Sequence, residues 1–147
     1  MPFFIWKESF NTHIPVIDRQ HQKIFAVMNR LYDATQTAID HNYVMQLLRE
    51  MNEYSDLHFT TEERLMAHHE YPKLKTQKDQ HEYYRKQMVV QLTRAFHEEN
   101  ERVCKDSLQF LRDWFLNHIL QEDLKFAEVV AQRNEQTGRS QHQAEQN

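Results

Sequence analysis

The chain has 147 residues, a formal net charge of -4, one cysteine, one glycine and ten histidines. That charge gives no electrostatic pull toward nucleic acid or an anionic membrane, and no apolar run is long enough to span a bilayer. "MPFFIW" lacks the basic start of a signal peptide, and the lone Cys104 cannot form an internal disulfide, so the expected location is the cytoplasm.

In chain order, residues 1–17 predict an irregular arm. Its Phe3, Phe4, Ile5, Trp6 and Phe10 are too apolar to leave in water, so the arm should pack over the rest. Four helical segments follow, each with apolar residues three and four apart. The first, 18–39, aligns His21, Ile24, Phe25, Met28, Leu31, Tyr32 and Thr35, with Asp18 as its expected N-cap. The second, 43–66, aligns Val44, Leu47, Leu48, Met51, Ser55, His58, Phe59, Glu62 and Leu65, and Asn42 suits its start. Pro72 punctuates the next link, and "TQKD" (residues 76–79) reads as a capping box opening the third helix, 77–96, with His81, Tyr84, Met88 and Leu92 on one face. Asn100 suits the start of the fourth, 103–130, which aligns Leu108, Leu111, Trp114, Phe115, His118, Ile119, Glu122 and Phe126. Residues 131–147 have almost nothing to bury and read as a polar tail or linker after a domain spanning 1–130. Short joins make neighbouring helices antiparallel, so the expected fold is all-α, an up-down-up-down four-helix bundle with an irregular N-terminal arm.

The stripes that should be apolar carry polar groups. Each helix brings one histidine inward (His21, His58, His81 and His118). Glu62 follows His58 by one turn, and Asp123 follows His118 by five residues. A buried polar group without a partner costs roughly 1–3 kcal/mol, and a charge costs more. Against a net stability of about 5–15 kcal/mol, that many buried polar groups need compensation. A metal centre provides it: imidazole suits zinc, copper, iron or nickel, and a carboxylate can bridge two cations. Any one of these histidines alone would more often be a hydrogen-bonded core residue; the convergence of four helices favours metal. A tetrahedral zinc site would leave two of the groups idle, and the Glu-x-x-His motif of ferritin-like sites is absent, so two metals fit better than one.

The pattern "WKESFNTHIPVIDRQHQKIF", "HFTTEERLM", "YP", a histidine on the third helix and then "WFLNHILQED" resembles the bacterial hemerythrins over about residues 6–126. The resemblance implies a four-helix bundle holding a non-haem di-iron centre, two iron ions with an oxo or hydroxo bridge from solvent, that binds dioxygen or small anions. By position, His21 and His58 would serve one iron, His81 and His118 the other, with Glu62 and Asp123 as bridging carboxylates. Phe59, Trp114, Phe115 and Ile119 would line the oxygen pocket. Phe115 stands where the family usually has leucine, and its bulk could narrow access.

Two other departures bear on function. The family's third helix carries a second histidine ligand one turn before His81; here Gln77 occupies that place. Its amide oxygen would be a weak, neutral ligand, and a first-turn glutamine facing solvent or bonded to a bound water is the favoured reading. Both irons would then have an exchangeable position, which suits oxygen or redox sensing better than storage. His13 replaces the usual glycine before "IP", so the arm is free to turn differently there. The remaining histidines, His41, His68, His69, His97 and His142, fall in expected loops or the tail and should be solvated. The expected function is therefore a non-enzymatic oxygen or redox sensor module, open to fusion with a signalling output domain such as a diguanylate cyclase or chemoreceptor. A stand-alone oxygen carrier or iron store is the alternative, followed by a di-iron peroxide or nitric oxide reductase.

Overall fold

A computed structural model describes residues 3–98 and 101–146, with side chains through 136. The helices are α1 (Pro15–Thr35), α2 (His41–His68), α3 (Leu74–His97) and α4 (Glu101–His118). A π-helical turn, Ile119–Asp123, joins α4 to α5 (Leu124–Gln146). α1 packs on α2, α2 on α3, α3 on α4, and α4 back on α1, which closes the expected four-helix bundle.

The starts of the helices differ in detail from the sequence expectation. Pro15 opens α1 at a position where a missing N–H costs nothing, which puts Asp18 inside the first turn. From there its carboxylate reaches back to the arm: Oδ1 accepts from the Thr12 N–H and hydroxyl, both at 2.8 Å, and Oδ2 from the His13 N–H at 3.1 Å. His13 sits at φ 62°, in the left-handed region where glycine would be at ease, so the arm turns there with histidine in place. Asp40, not Asn42, caps α2, accepting from the Tyr43 N–H at 3.2 Å. α3 starts at Leu74 with no side-chain cap, so Thr76–Asp79 lies within the helix rather than opening it. Asn100 lies outside the described residues.

One core fills the bundle between Ile24, Met28 and Leu31 of α1, Leu47, Leu48 and Met51 of α2, Tyr84 and Met88 of α3, and Leu111 and Phe115 of α4. The arm covers one flank. Phe4 and Phe10 are buried, Phe3 and Trp6 pack against the core, and Ile5 alone of the five apolar arm residues is left largely exposed. The Asn29 side chain pins Phe4 by accepting from its N–H and donating to its carbonyl. A smaller cluster of Met66, Tyr71 and Phe126 closes the opposite end, where α5 meets the α2–α3 link. Helix α5 does not stop at residue 130; its backbone stays helical through Gln146.

Candidate metal centre

Between the main core and the small cluster lies a wholly buried polar layer. His21 comes from α1, His58 and Glu62 from α2, Gln77 and His81 from α3, His118 from α4 and Asp123 from the π-turn; none is more than 3% exposed. Regular helix spacing explains His58 and Glu62, four residues apart on one face. It does not explain Asp123, which at about 100° per residue would stand some 140° round from His118. The π-turn, closed by the Leu124 N–H to the Ile119 carbonyl, absorbs the extra residue. It turns Asp123 inward and leaves Glu122, which the α-helical period placed on the stripe, half-buried at the surface.

Each carboxylate addresses both sides of the layer. Glu62 Oε1 lies 2.6 Å from His58 Nε2 and 3.3 Å from His21 Nε2, and its Oε2 lies 3.1 Å from His81 Nε2. Asp123 Oδ2 is 3.1 Å from His21 Nε2, and its Oδ1 is 3.1 Å from His118 Nε2. The donor atoms of His21, His58, Glu62 and Asp123 all lie within 4.8 Å of one another, as do those of Glu62, His81 and His118.

The outer ring nitrogens are held from behind. His58 Nδ1–H donates to Gln20 Oε1 at 2.8 Å, His118 Nδ1–H to Gln80 Oε1 at 2.7 Å, and His81 Nδ1–H to the Glu63 carboxylate at 3.1 Å. With Nδ1 donating outward, each of these three rings turns its Nε2 lone pair inward, the tautomer a cation requires. His81 Nε2 and His118 Nε2 face each other at 3.2 Å. Two inward lone pairs at that distance repel unless a proton or a cation lies between them.

Without metal, protons take up the charge. Burial lowers the basicity of His21 and His118, but hydrogen bonds and charge from Asp123 and Glu62 outweigh it, raising their pKa values to about 9 and about 10. Burial wins at His58, which is pushed down and stays neutral. Burial also works to raise Glu62 and Asp123, but the surrounding histidines hold both below the usual carboxylate range. Even so, His58 Nε2 and Gln77 Oε1 remain buried without a hydrogen bond. These orphaned donor atoms, carboxylates able to face two cations, and inward imidazole lone pairs fit a pair of cations.

Gln77 departs from the sequence expectation. It is fully buried rather than solvent-facing, and its Nε2 donates to Asp123 Oδ1 at 3.2 Å. Phe59, Phe115 and Ile119 are fully buried, with Phe59 stacked on the His81 ring at 4.0 Å. Trp114 stacks on His118 at 4.5 Å and also lines an open groove of about 450 Å³ between α3 and α4, together with Gln80 and His118. Of these four residues, Trp114 is the one that also borders the groove. His13, His41, His68, His69 and His97 stand apart from the cluster, and His142 lies outside the described side chains. His41 and His68 begin and end α2 and His97 ends α3, rather than lying in loops. Sequence periodicity gave no sign of the outer partners Gln20, Glu63 and Gln80. Each lies next to a ligand position or one short of it in sequence, and only the folded geometry shows which ring it supports.

Fold and site together define a helical-bundle cation-binding domain. The model of the hemerythrin HHE cation binding domain matches residues 12–130, and the chain belongs to the hemerythrin family. It is 31% identical over 130 residues to a bacteriohemerythrin of Pseudomonas aeruginosa, covering 88% of this chain and 83% of that one. It is 28% identical over 126 residues to the bacteriohemerythrin of Clostridium acetobutylicum, covering 84% and 98%. A crystal structure of wild-type hemerythrin superposes with a TM-score of 0.79 at 26% identity, over 86% of this chain and 97% of that chain.

Proposed function

We propose that the chain holds two iron ions between its helices and binds dioxygen there, serving as an oxygen- or redox-responsive module rather than an enzyme. The observation that carries this reading is the split of both carboxylates, with one oxygen of Glu62 and one of Asp123 turned to each side of the layer. His21 and His58 would hold one iron, and His81 and His118 the other. When bound, the pair supplies reversible electron exchange with dioxygen or binding of a small anion. The protein's part is to hold neutral imidazole lone pairs inward through Gln20, Gln80 and Glu63, and to exclude water with Phe59, Phe115 and Ile119.

A sensor role in the cytoplasm, compatible with fusion to a signalling output domain, is favoured over storage by Gln77, a weaker donor than the family's histidine that leaves the second position labile, and by the groove that reaches His118. No helix among the described residues is long and apolar enough to cross a membrane. Anaerobic reduction of the iron-loaded protein, followed by oxygen, tests the reading. Rapid conversion to the diferric absorption spectrum supports a sensor. A visible band that persists and reverses when oxygen is removed supports a carrier. Multiple turnovers with peroxide or nitric oxide would make it an enzyme, and no spectral change would remove the oxygen-binding reading.

A further inference from the structure

The two halves of the centre are not equivalent. Among the described residues, one brings the donor atoms of His21, His58, Glu62 and Asp123 within 4.8 Å of one another; the other does so for Glu62, His81 and His118 alone, and Asp123 reaches it from its edge, with Oδ1 3.1 Å from His118 Nε2. Gln77 stands beside the poorer half. It is fully buried, its amide N–H is committed to Asp123 Oδ1, and its amide oxygen has no hydrogen-bond partner. A buried carbonyl oxygen left unpaired is costly unless a ligand answers it. A cation held by Glu62, His81 and His118 would answer it.

We propose that Gln77 completes this second position through its amide oxygen, while its N–H fixes Asp123, and that this position holds its cation more weakly than the first. The inference rests on the metal reading given above. An amide oxygen is neutral and a poorer donor than imidazole to a transition metal. The same half carries a partial remedy: His81 alone among the ligands is backed by a carboxylate, that of Glu63, which strengthens it as a donor. It is also the half next to the open groove at Gln80 and His118, which offers a short path for exchange.

Anaerobic cobalt(II) titration of the metal-free full chain, read by ligand-field absorption, tests this. The expected result is two cations per chain, the second bound at least roughly tenfold more weakly and the first to be lost to a chelator. Gln77→Leu should weaken the second cation by a further tenfold or so, and Gln77→Glu, which restores an oxygen but not the N–H, should recover it. Circular dichroism establishes that each variant is folded, and Gln77→Glu carries the test if Gln77→Leu is not. Equal affinities in the parent, a second affinity unmoved in Gln77→Leu, or Gln77→Glu as weak as Gln77→Leu would overturn the proposal. Failure of the parent chain to bind any cation would remove the metal reading beneath it.

Discussion

His118 and Asp123 are five residues apart, yet His118 Nε2 lies 3.1 Å from Asp123 Oδ1. An unbroken α-helix would point the two apart, so the relationship exists because one π-helical turn lies between them. This turn behaves as a single inserted residue. Deleting the exposed Leu120 should close the segment into continuous α-helix and leave histidine and aspartate four apart, still on one face. The variant is expected to remain helical and to bind two cations. Loss of cation binding with the fold retained would mean that the π-turn itself sets the ligand geometry.

Glu63 should act on the site without entering it. Its carboxylate accepts from His81 Nδ1–H at 3.1 Å, and the Arg85 guanidinium stands 3.7 Å behind it. Glu63→Gln keeps a hydrogen-bond acceptor but removes the charge that strengthens the imidazole. Cation affinity is expected to fall about tenfold, within the range usual for such outer partners, with thermal stability of the metal-free chain little changed. Competition against a chelating dye measures the first quantity and calorimetry the second.

Tyr84 and Ser55 form a buried polar pair, hydroxyl to hydroxyl at 2.9 Å, at the boundary between the core and the polar layer. Tyr84→Phe strands the Ser55 hydroxyl and should cost about 1–3 kcal/mol in urea unfolding. Adding Ser55→Ala should return much of that loss, since removing both polar groups leaves nothing unpaired. Additive losses would show that the hydroxyl pair is not what the site depends on.

The metal-free chain should weaken as pH rises. His21 and His118 have folded pKa values of about 9 and about 10 against 6.5 when unfolded. A raised value contributes stability that is complete below about 6.5 and is lost as pH climbs through about 9 and 10. Glu62 works in the opposite sense: its lowered value contributes stability above about 4.5 that is lost as pH falls through the folded value. The melting temperature in chelator is therefore expected to decline steadily from neutral to alkaline pH. A flat profile over that range would contradict the ionisation assigned to the buried layer.

The bundle was legible because its signal is repetitive. Apolar residues three and four apart run through each helix, and the inward histidines interrupt those runs at one level. Exceptions arose wherever a single local interaction outweighed the period. Pro15 could start α1 early because the Asp18 carboxylate ties down Thr12 and His13 from inside the helix. Asp123 was placed by its motif, while its facing depended on a π-turn that no α-helical period encodes. Polarity near a helix start usually means exposure, so the sequence turns Gln77 to solvent; a buried carboxylate, Asp123, holds it inward instead.

Oxygen binding at this site requires that the buried layer hold two irons. Iron and zinc per folded chain, measured by elemental analysis after expression in iron-replete medium, tests this most directly. Two irons per chain, with little zinc, is the predicted result. One zinc, or a folded chain with no transition metal, would contradict it.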